Sequence, residues 1–362
     1  MLLLRVQRSL VSSGKRAYHD LQTLPSTNKP VVSYGPPGYS AVSGHTVTIF
    51  GCTGFLGRYL ASKIAKMGTQ VIIPYRDEDE ARIFKPMGDL GQIVRMEWDI
   101  RNEEQIAECL RHSDIVFNLA GRDFETKNFD FESVHVSGAE RIASVAARSG
   151  VSRFVHVSHL NASATSESKF YQTKALGEER VKAAFPNATI VRPGSMFGYE
   201  DKLLNSLAMS PWWWKLNSGK TQIRPVHVLD VAQALANLVP ESSLSSRTLS
   251  LPGPSTLTYD YLLDLVSAVT LRSTHSYVPA MPQGVATAVA KLSQSVWWPL
   301  MSPDEVTRRY LNDSETVGDW EELGITPSEI EPLALKYLRR YRSAETYTEP
   351  VEFPARPSLT TA

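Results

Sequence analysis

The run "HTVTIFGCTGFLGRYLASKIAKMG", His45 to Gly68, constrains the fold more than any other stretch of the chain. It opens as an apolar, β-branched strand and closes as a helix that stops at Gly68. Between the two stand Gly51, Gly54 and Gly57. Glycines at such a turn let the backbone bend tightly and approach a pyrophosphate, which then sits on the free N–H groups at the helix start. The strand before and the helix after make this motif informative; alone it would mark only a tight turn with helix packing. Thr53, Phe55 and Leu56 lie in the same turn and count with the glycines as candidate cofactor contacts.

The pattern then repeats. "QVIIPY", "GQIVRMEW", "DIVFNLAG", "RFVHVS" and "ATIVRP" read as five further strands. A long helix, "FESVHVSGAERIASVAARSG", ends at Gly150, and another carries Lys174. Strands alternating with helices predict an α/β fold, a doubly wound parallel sheet covered on both faces. After Pro193 the alternation weakens. The expected organisation is a dinucleotide-binding domain over 44–250 with a lobe insertion around 195–224, then a smaller helical lobe over 251–345, broken by Pro252, Pro254, Pro279, Pro282 and Pro299. Prolines and glycines between 19 and 43 predict an extended, irregular lead-in, and residues 346–362 an extended or disordered tail.

Composition excludes several classes. Lys plus Arg equals Asp plus Glu at 38 each, so no basic field invites nucleic acid. No apolar run reaches the roughly 20 residues a bilayer crossing needs. Two cysteines, Cys52 and Cys109, make neither a disulfide framework nor a metal cluster. The first eighteen residues differ from the rest: "MLLLRVQRSLVSSGKRAY" carries Arg5, Arg8, Lys15 and Arg16 among Leu and Ser, with no acid before Asp20. That is the composition of a mitochondrial presequence, a reading preferred over a disordered basic tail.

The strand ends carry the chemistry. Arg76, closing "VIIPYR", suits the 2′-phosphate of NADPH through paired, charge-assisted hydrogen bonds. Asp77 follows at once and is the residue type that holds the ribose of NAD instead. Asp99 ends the third strand where adenine would lie, or caps the helix in "RNEEQIAECL". Leu119, Ala120 and Gly121 end the fourth, where small residues admit a cofactor or simply make a turn, and Pro193 closes the sixth.

In "SESKFYQTKALGEE" a reductase of this fold would place Tyr four residues before Lys174, on one helix face. Phe170 stands there, and a phenyl ring has no proton to give. Tyr171 is rotated from it by about 100° on the helix. Ser158 is the candidate carbonyl polariser; His159 is a weaker candidate acid and more readily a satisfied structural histidine. General acid catalysis is worth about 10²–10⁴-fold, and cofactor affinity need not fall when it is lost. The site therefore reads as binding without turnover. "PWWWK" places Trp212, Trp213 and Trp214 in a row, and "VWWPL" adds Trp297 and Trp298. Three consecutive Trp cannot all face one core, so contact with a partner or lipid headgroups stands beside aromatic filling of the lobe.

"GCTGFLGRYL", "FVHVSHLNA", "KALGEE", "IVRPGSMFG" and "PVHVLDVAQA" together resemble the extended or atypical short-chain dehydrogenases. More narrowly, they resemble the NADPH-binding accessory subunits of mitochondrial respiratory complex I, over about His45 to Pro332. The resemblance implies a non-catalytic subunit that binds NADPH on the matrix side of the inner membrane. It implies docking with other complex I subunits at the peripheral arm and membrane junction, and contacts to cofactor from Gly51, Gly54, Gly57, Arg76 and Lys174. Phe170 departs from relatives that keep Tyr, which puts turnover in doubt and not binding. An active mitochondrial NADPH-dependent reductase or isomerase, with Tyr171 as donor, is the alternative; a redox sensor whose docking follows NADPH occupancy is a third.

Overall fold

The computed structural model describes residues 19–23, 30–34, 43–209, 215–240, 244–272, 280–296 and 301–356. Residues 1–18, read from composition as a presequence, the tryptophans at 212–214 and 297–298, and residues 357–362 lie outside them.

Seven parallel strands form the central sheet: β1 (Thr46–Phe50), β2 (Gln70–Tyr75), β3 (Ile93–Glu97), β4 (Ile115–Asn118), β5 (Arg153–Val157), β6 (Thr189–Pro193) and β7 (Thr248–Leu251), in the order β7-β6-β5-β4-β1-β2-β3. The order reverses between β1 and β4, which opens a crevice at their carboxyl ends. The strands read as apolar runs because both faces are buried, and alternation assigns each side chain to a face. Val47, Ile49, Phe117, Val155 and Val191 pack with α1 (Phe55–Lys66) and with the helix Val228–Asn237. Phe50, Val116, Phe154 and Ile190 face the other layer, α2 (Glu103–Leu110), α3 (Ala139–Arg148) and α4 (Lys169–Ala184).

Three expectations need correction. The lead-in is not wholly irregular: His19–Thr23 and Pro30–Tyr34 pair as an antiparallel hairpin. The sequence reading stops at six strands, and its boundary at 250 cuts through β7. That strand is only four residues long and escapes a periodicity test. Nor is everything beyond 251 a separate lobe. Asp319 and Ser250 exchange backbone hydrogen bonds through the Asp319 N–H (2.9 Å) and the Asp319 carboxylate (2.6 Å), covering the free edge of β7. Trp320 and Leu323 then enter the core under α1.

The helical part of the lobe comprises α6 (Tyr259–Thr270), α7 (Gln283–Val296), α8 (Pro303–Arg308) and α9 (Ile330–Leu338), with Val228–Asn237 as α5 before them. A short helix, Leu204–Met209, joins their core through Leu204 and Ala208. The tail through residue 356 is irregular and held in place: Arg356 binds Glu329 (2.9 Å) and Glu331 (2.7 Å).

Candidate functional site

A cleft of about 160 Å³ opens at the sheet's reversal point, lined by Gly51, Thr53, Gly54, Arg76, Leu119, Ala120 and Gly121 among others. Gly51 has φ +77°, and a Cβ there would lie 2.7 Å from the Leu119 carbonyl carbon, so neither its conformation nor its neighbour admits a side chain. Gly57 serves packing instead: a Cβ would lie 2.4 Å from the Cys52 oxygen, which lets α1 sit directly on the turn. Phe55, Leu56 and Gly57 begin α1 behind the N-cap Gly54, so their N–H groups lack intrahelical acceptors and concentrate positive potential at the cleft. Their side chains point elsewhere: Leu56 into the core, Phe55 edge-on to Tyr59 at 5.7 Å.

Arg76 lies exposed at the end of β2. Asp77, which left the cofactor choice open, accepts a hydrogen bond from the Asp79 N–H (2.9 Å) and caps the turn Glu78–Ala81. Asp99 does not line the cleft. It is exposed, and its carboxylate accepts from the Arg101 N–H (2.7 Å); Trp98 and Ile100 on either side line the cleft instead. The cap of α2 also passes from Asp99 to Asn102, whose side-chain oxygen accepts from the N–H groups of Glu104 (3.0 Å) and Gln105 (3.3 Å). Pro193 is buried at the sheet end, its carbonyl accepting from the Leu160 N–H at 2.9 Å.

Deeper in the crevice stand Ser158, Phe170 and Lys174. Lys174 is buried, and among the described residues its ammonium has one acceptor at long range, the Val157 carbonyl at 3.4 Å. Burial pushes its pKa down to about 8, against the opposing pull of Asp123 and Glu178. The Ser158 hydroxyl is buried with no partner among the described residues. The Lys174 ammonium lies 3.3 Å from where a Cβ on Gly121 would stand. A buried ammonium there and an orphaned Ser158 hydroxyl at the end of β5 are the donors a nicotinamide ribose and carboxamide need, so the residues present fit a dinucleotide.

Phe170 has no vacancy before it. The Arg308 guanidinium of α8 lies 4.4 Å from its ring centroid and the Lys174 ammonium 5.8 Å away. His135, Phe131 and Tyr171 pack edge-on around it at 5.2, 5.8 and 5.7 Å. Tyr171 turns to the other side of α4. Its hydroxyl accepts from the Asn161 amide at 3.4 Å, which donates in turn to Asp313 at 2.7 Å, and burial raises its pKa well above the ordinary value. His159 is half-buried against Tyr171, accepts from the Asn161 N–H (3.1 Å), and is pushed down to about 3 by loss of water around the ring and by Arg308 and Lys174. It stays neutral at physiological pH.

Sequence reasoning missed several residues here. Trp98, Ile100, Arg122, Phe129 and Val134 also line the cleft, with Pro74 and Tyr75 of β2. Arg122 directly follows "NLAG" and was open to notice; Phe129 and Val134 arrive through a loop no periodicity reveals. His135 sits in a wide, π-type turn, Ser133–Gly138, leading into α3. It accepts from the Arg122 N–H (3.2 Å) and bonds the Thr173 hydroxyl (3.0 Å).

The fold and this cleft define the class: a Rossmann-type nicotinamide-dinucleotide-binding protein of the short-chain dehydrogenase superfamily. A family model described as NAD(P)H-binding matches residues 51–239. The chain belongs to the family of the mitochondrial NADH dehydrogenase (ubiquinone) 1 alpha subcomplex subunit 9, also named the 40 kDa subunit. It is 42% identical to the mitochondrial NADH-ubiquinone oxidoreductase 40 kDa subunit of Neurospora crassa, over 93% of this chain and 89% of that one. It is 38% identical to the alpha subcomplex subunit 9 of Rattus norvegicus, over 89% of this chain and 87% of that one. Among solved structures, an NADPH-dependent quinone oxidoreductase of Escherichia coli, complexed with NADPH, shares the fold at TM-score 0.61 and 19% identity, covering 80% of this chain and 98% of that one.

Proposed function

We propose that this chain is a non-catalytic accessory subunit of mitochondrial complex I that holds NADPH as a structural ligand at the matrix side of the inner membrane. The observation that carries the reading is Phe170, set between the Lys174 and Arg308 cations where a reductase of this fold keeps a tyrosine. Tyr171, the donor in the alternative enzymatic reading, bonds Asn161 and not Lys174, which speaks against that alternative. Bound NADPH would supply a hydride donor. This chain's own groups would hold it: the α1 N–H groups the pyrophosphate, Lys174 the nicotinamide ribose, Arg76 the 2′-phosphate. With Phe170 in the tyrosine's place, no phenol among the described residues is bonded to Lys174 to deliver a proton, so binding energy goes into the fold by mass action.

The lobe supports the docking half of the reading. On α7, Val285, Val289 and Leu292 are 53%, 54% and 69% exposed and recur at helical spacing, while the flanking face, Ala286 and Ala290, packs on Val306 of α8. A helix apolar on both faces fits contact with neighbouring subunits at the membrane junction, with lipid headgroups as the alternative neighbour. Among the described residues no helix is long and apolar enough to cross a membrane.

The test is to purify the endogenous chain, quantify bound nucleotide, and challenge it with quinones and carbonyls. Stoichiometric NADPH without oxidation is the expected result. Oxidation abolished by Tyr171→Phe would overturn it.

A further inference from the structure

We propose that Arg122 is the second arm of a clamp which, with Arg76, grips the 2′-phosphate of the bound dinucleotide. This deepens the nucleotide reading and rests on it. Both guanidinium residues line the one cleft, Arg76 at the end of β2 and Arg122 just beyond β4. Arg122 is half-buried and held in place. Its guanidinium carbon lies 5.5 Å from the Phe124 ring centroid and 5.7 Å from that of Phe129, and its Nη1 donates to the Thr126 hydroxyl at 3.2 Å. Its backbone N–H is fixed by His135.

The two arginines share the cleft lining without a counter-charge among the described residues. Burial, with the Arg76 charge adding to it, lowers the Arg122 pKa, so these like charges repel. The neighbouring acids are committed elsewhere: Asp77 caps a turn, Asp123 pairs with Lys202 at 2.6 Å, and Glu125 pairs with Lys169 at 2.7 Å. Among the described residues neither guanidinium meets a carboxylate. Arg101 adds a third cation nearby, stacked 4.2 Å from the Phe129 ring. Two repelling forks at the rim of an aromatic cleft suit one multiply charged, many-acceptor anion, and a phosphate monoester accepts from both. The pyrophosphate belongs at the start of α1, whereas the end of β2 faces the adenosine ribose, so the anion between these arginines is the 2′-phosphate.

Calorimetric titration of the full chain with NADPH and with NADH tests this. Arg122→Gln is expected to weaken NADPH binding by roughly tenfold or more, the scale of one charge-assisted hydrogen bond, and to leave NADH binding unchanged. Arg76→Gln should do the same, and Arg122→Lys should fall between, since it keeps the charge and loses the fork. Equal losses for both nucleotides would place Arg122 on the diphosphate they share and overturn the clamp, as would no loss at all. If Arg122→Gln does not fold, Arg122→Lys titrated with 2′,5′-ADP and 5′-AMP gives the same comparison. Wild-type chain that binds neither nucleotide overturns the nucleotide reading itself; wild-type binding with no NADPH-selective loss in the variants overturns the clamp alone.

Discussion

Lys174 is the residue whose surroundings say most about what the site is for. Its ammonium is taken out of water and given one distant carbonyl, an arrangement that penalises the charged form without a ligand. Lys174→Met should therefore leave the stability of the nucleotide-free protein unchanged or raise it, while weakening nucleotide binding by roughly tenfold or more. Thermal melts with and without NADPH check both halves; a variant that loses stability but binds normally would make Lys174 a structural residue only. At this scale the sequence was most legible where backbone geometry dictates residue type. Gly51 and Gly57 were readable because the tight turn and the helix packed on it leave no room for a side chain. Asp99 misled because an acid at a strand end can cap, turn or bind, and only the local chain path decides. Tyr171 could be placed off the Lys174 face from helix geometry alone, but its hydrogen bond to Asn161 could not.

The elements explain how the cofactor helix is held. Asp304 of α8 caps α4: it accepts from the Ser168 hydroxyl (2.9 Å) and the Lys169 N–H (2.8 Å), and its charge suits the positive end of that helix. From the same helix Arg308 lies over Phe170 and donates to the Asp123 carbonyl at 3.1 Å, so α8 ties α4 to the segment after β4. Asp304→Ala should cost about 1–2 kcal/mol, read as a lower urea midpoint at unchanged slope. Asp304→Asn, which keeps an acceptor, should recover part of it. No loss in either variant would mean that Ser168 alone caps α4. None of this was visible in the sequence, because Asp304 and Ser168 are 136 positions apart and a lone Ser-Pro-Asp-Glu run predicts only the start of its own helix. The six longer strands and their helices were visible because each carries its own period; β7, short and between loops, is specified by its partner β6 rather than by pattern.

Across the whole molecule the crevice is walled by histidines that must stay neutral. His156 and His159 are each pushed down to about 3, and His135 lies well below its ordinary value, all three chiefly by burial, with the Lys174 charge reinforcing it. In the unfolded chain each titrates near 6.5. Between those limits the unfolded state binds more protons than the folded one, so stability must fall as pH drops through 6.5. Each histidine contributes up to about 1.4 kcal/mol per pH unit once the unfolded form is protonated. Urea midpoints between pH 7 and pH 5, above the carboxylate range, should therefore decline steeply, and His159→Gln should flatten the slope by about one histidine's share. Saturating NADPH would raise the whole curve, by about 2.7 kcal/mol at a hundred times Kd, without flattening it, because the nucleotide binds only the folded state and leaves the unfolded histidines free to protonate. A flat profile over that range would mean that water reaches these rings, and a crevice open to water would take away the physical ground for a ligand locked in place without turnover.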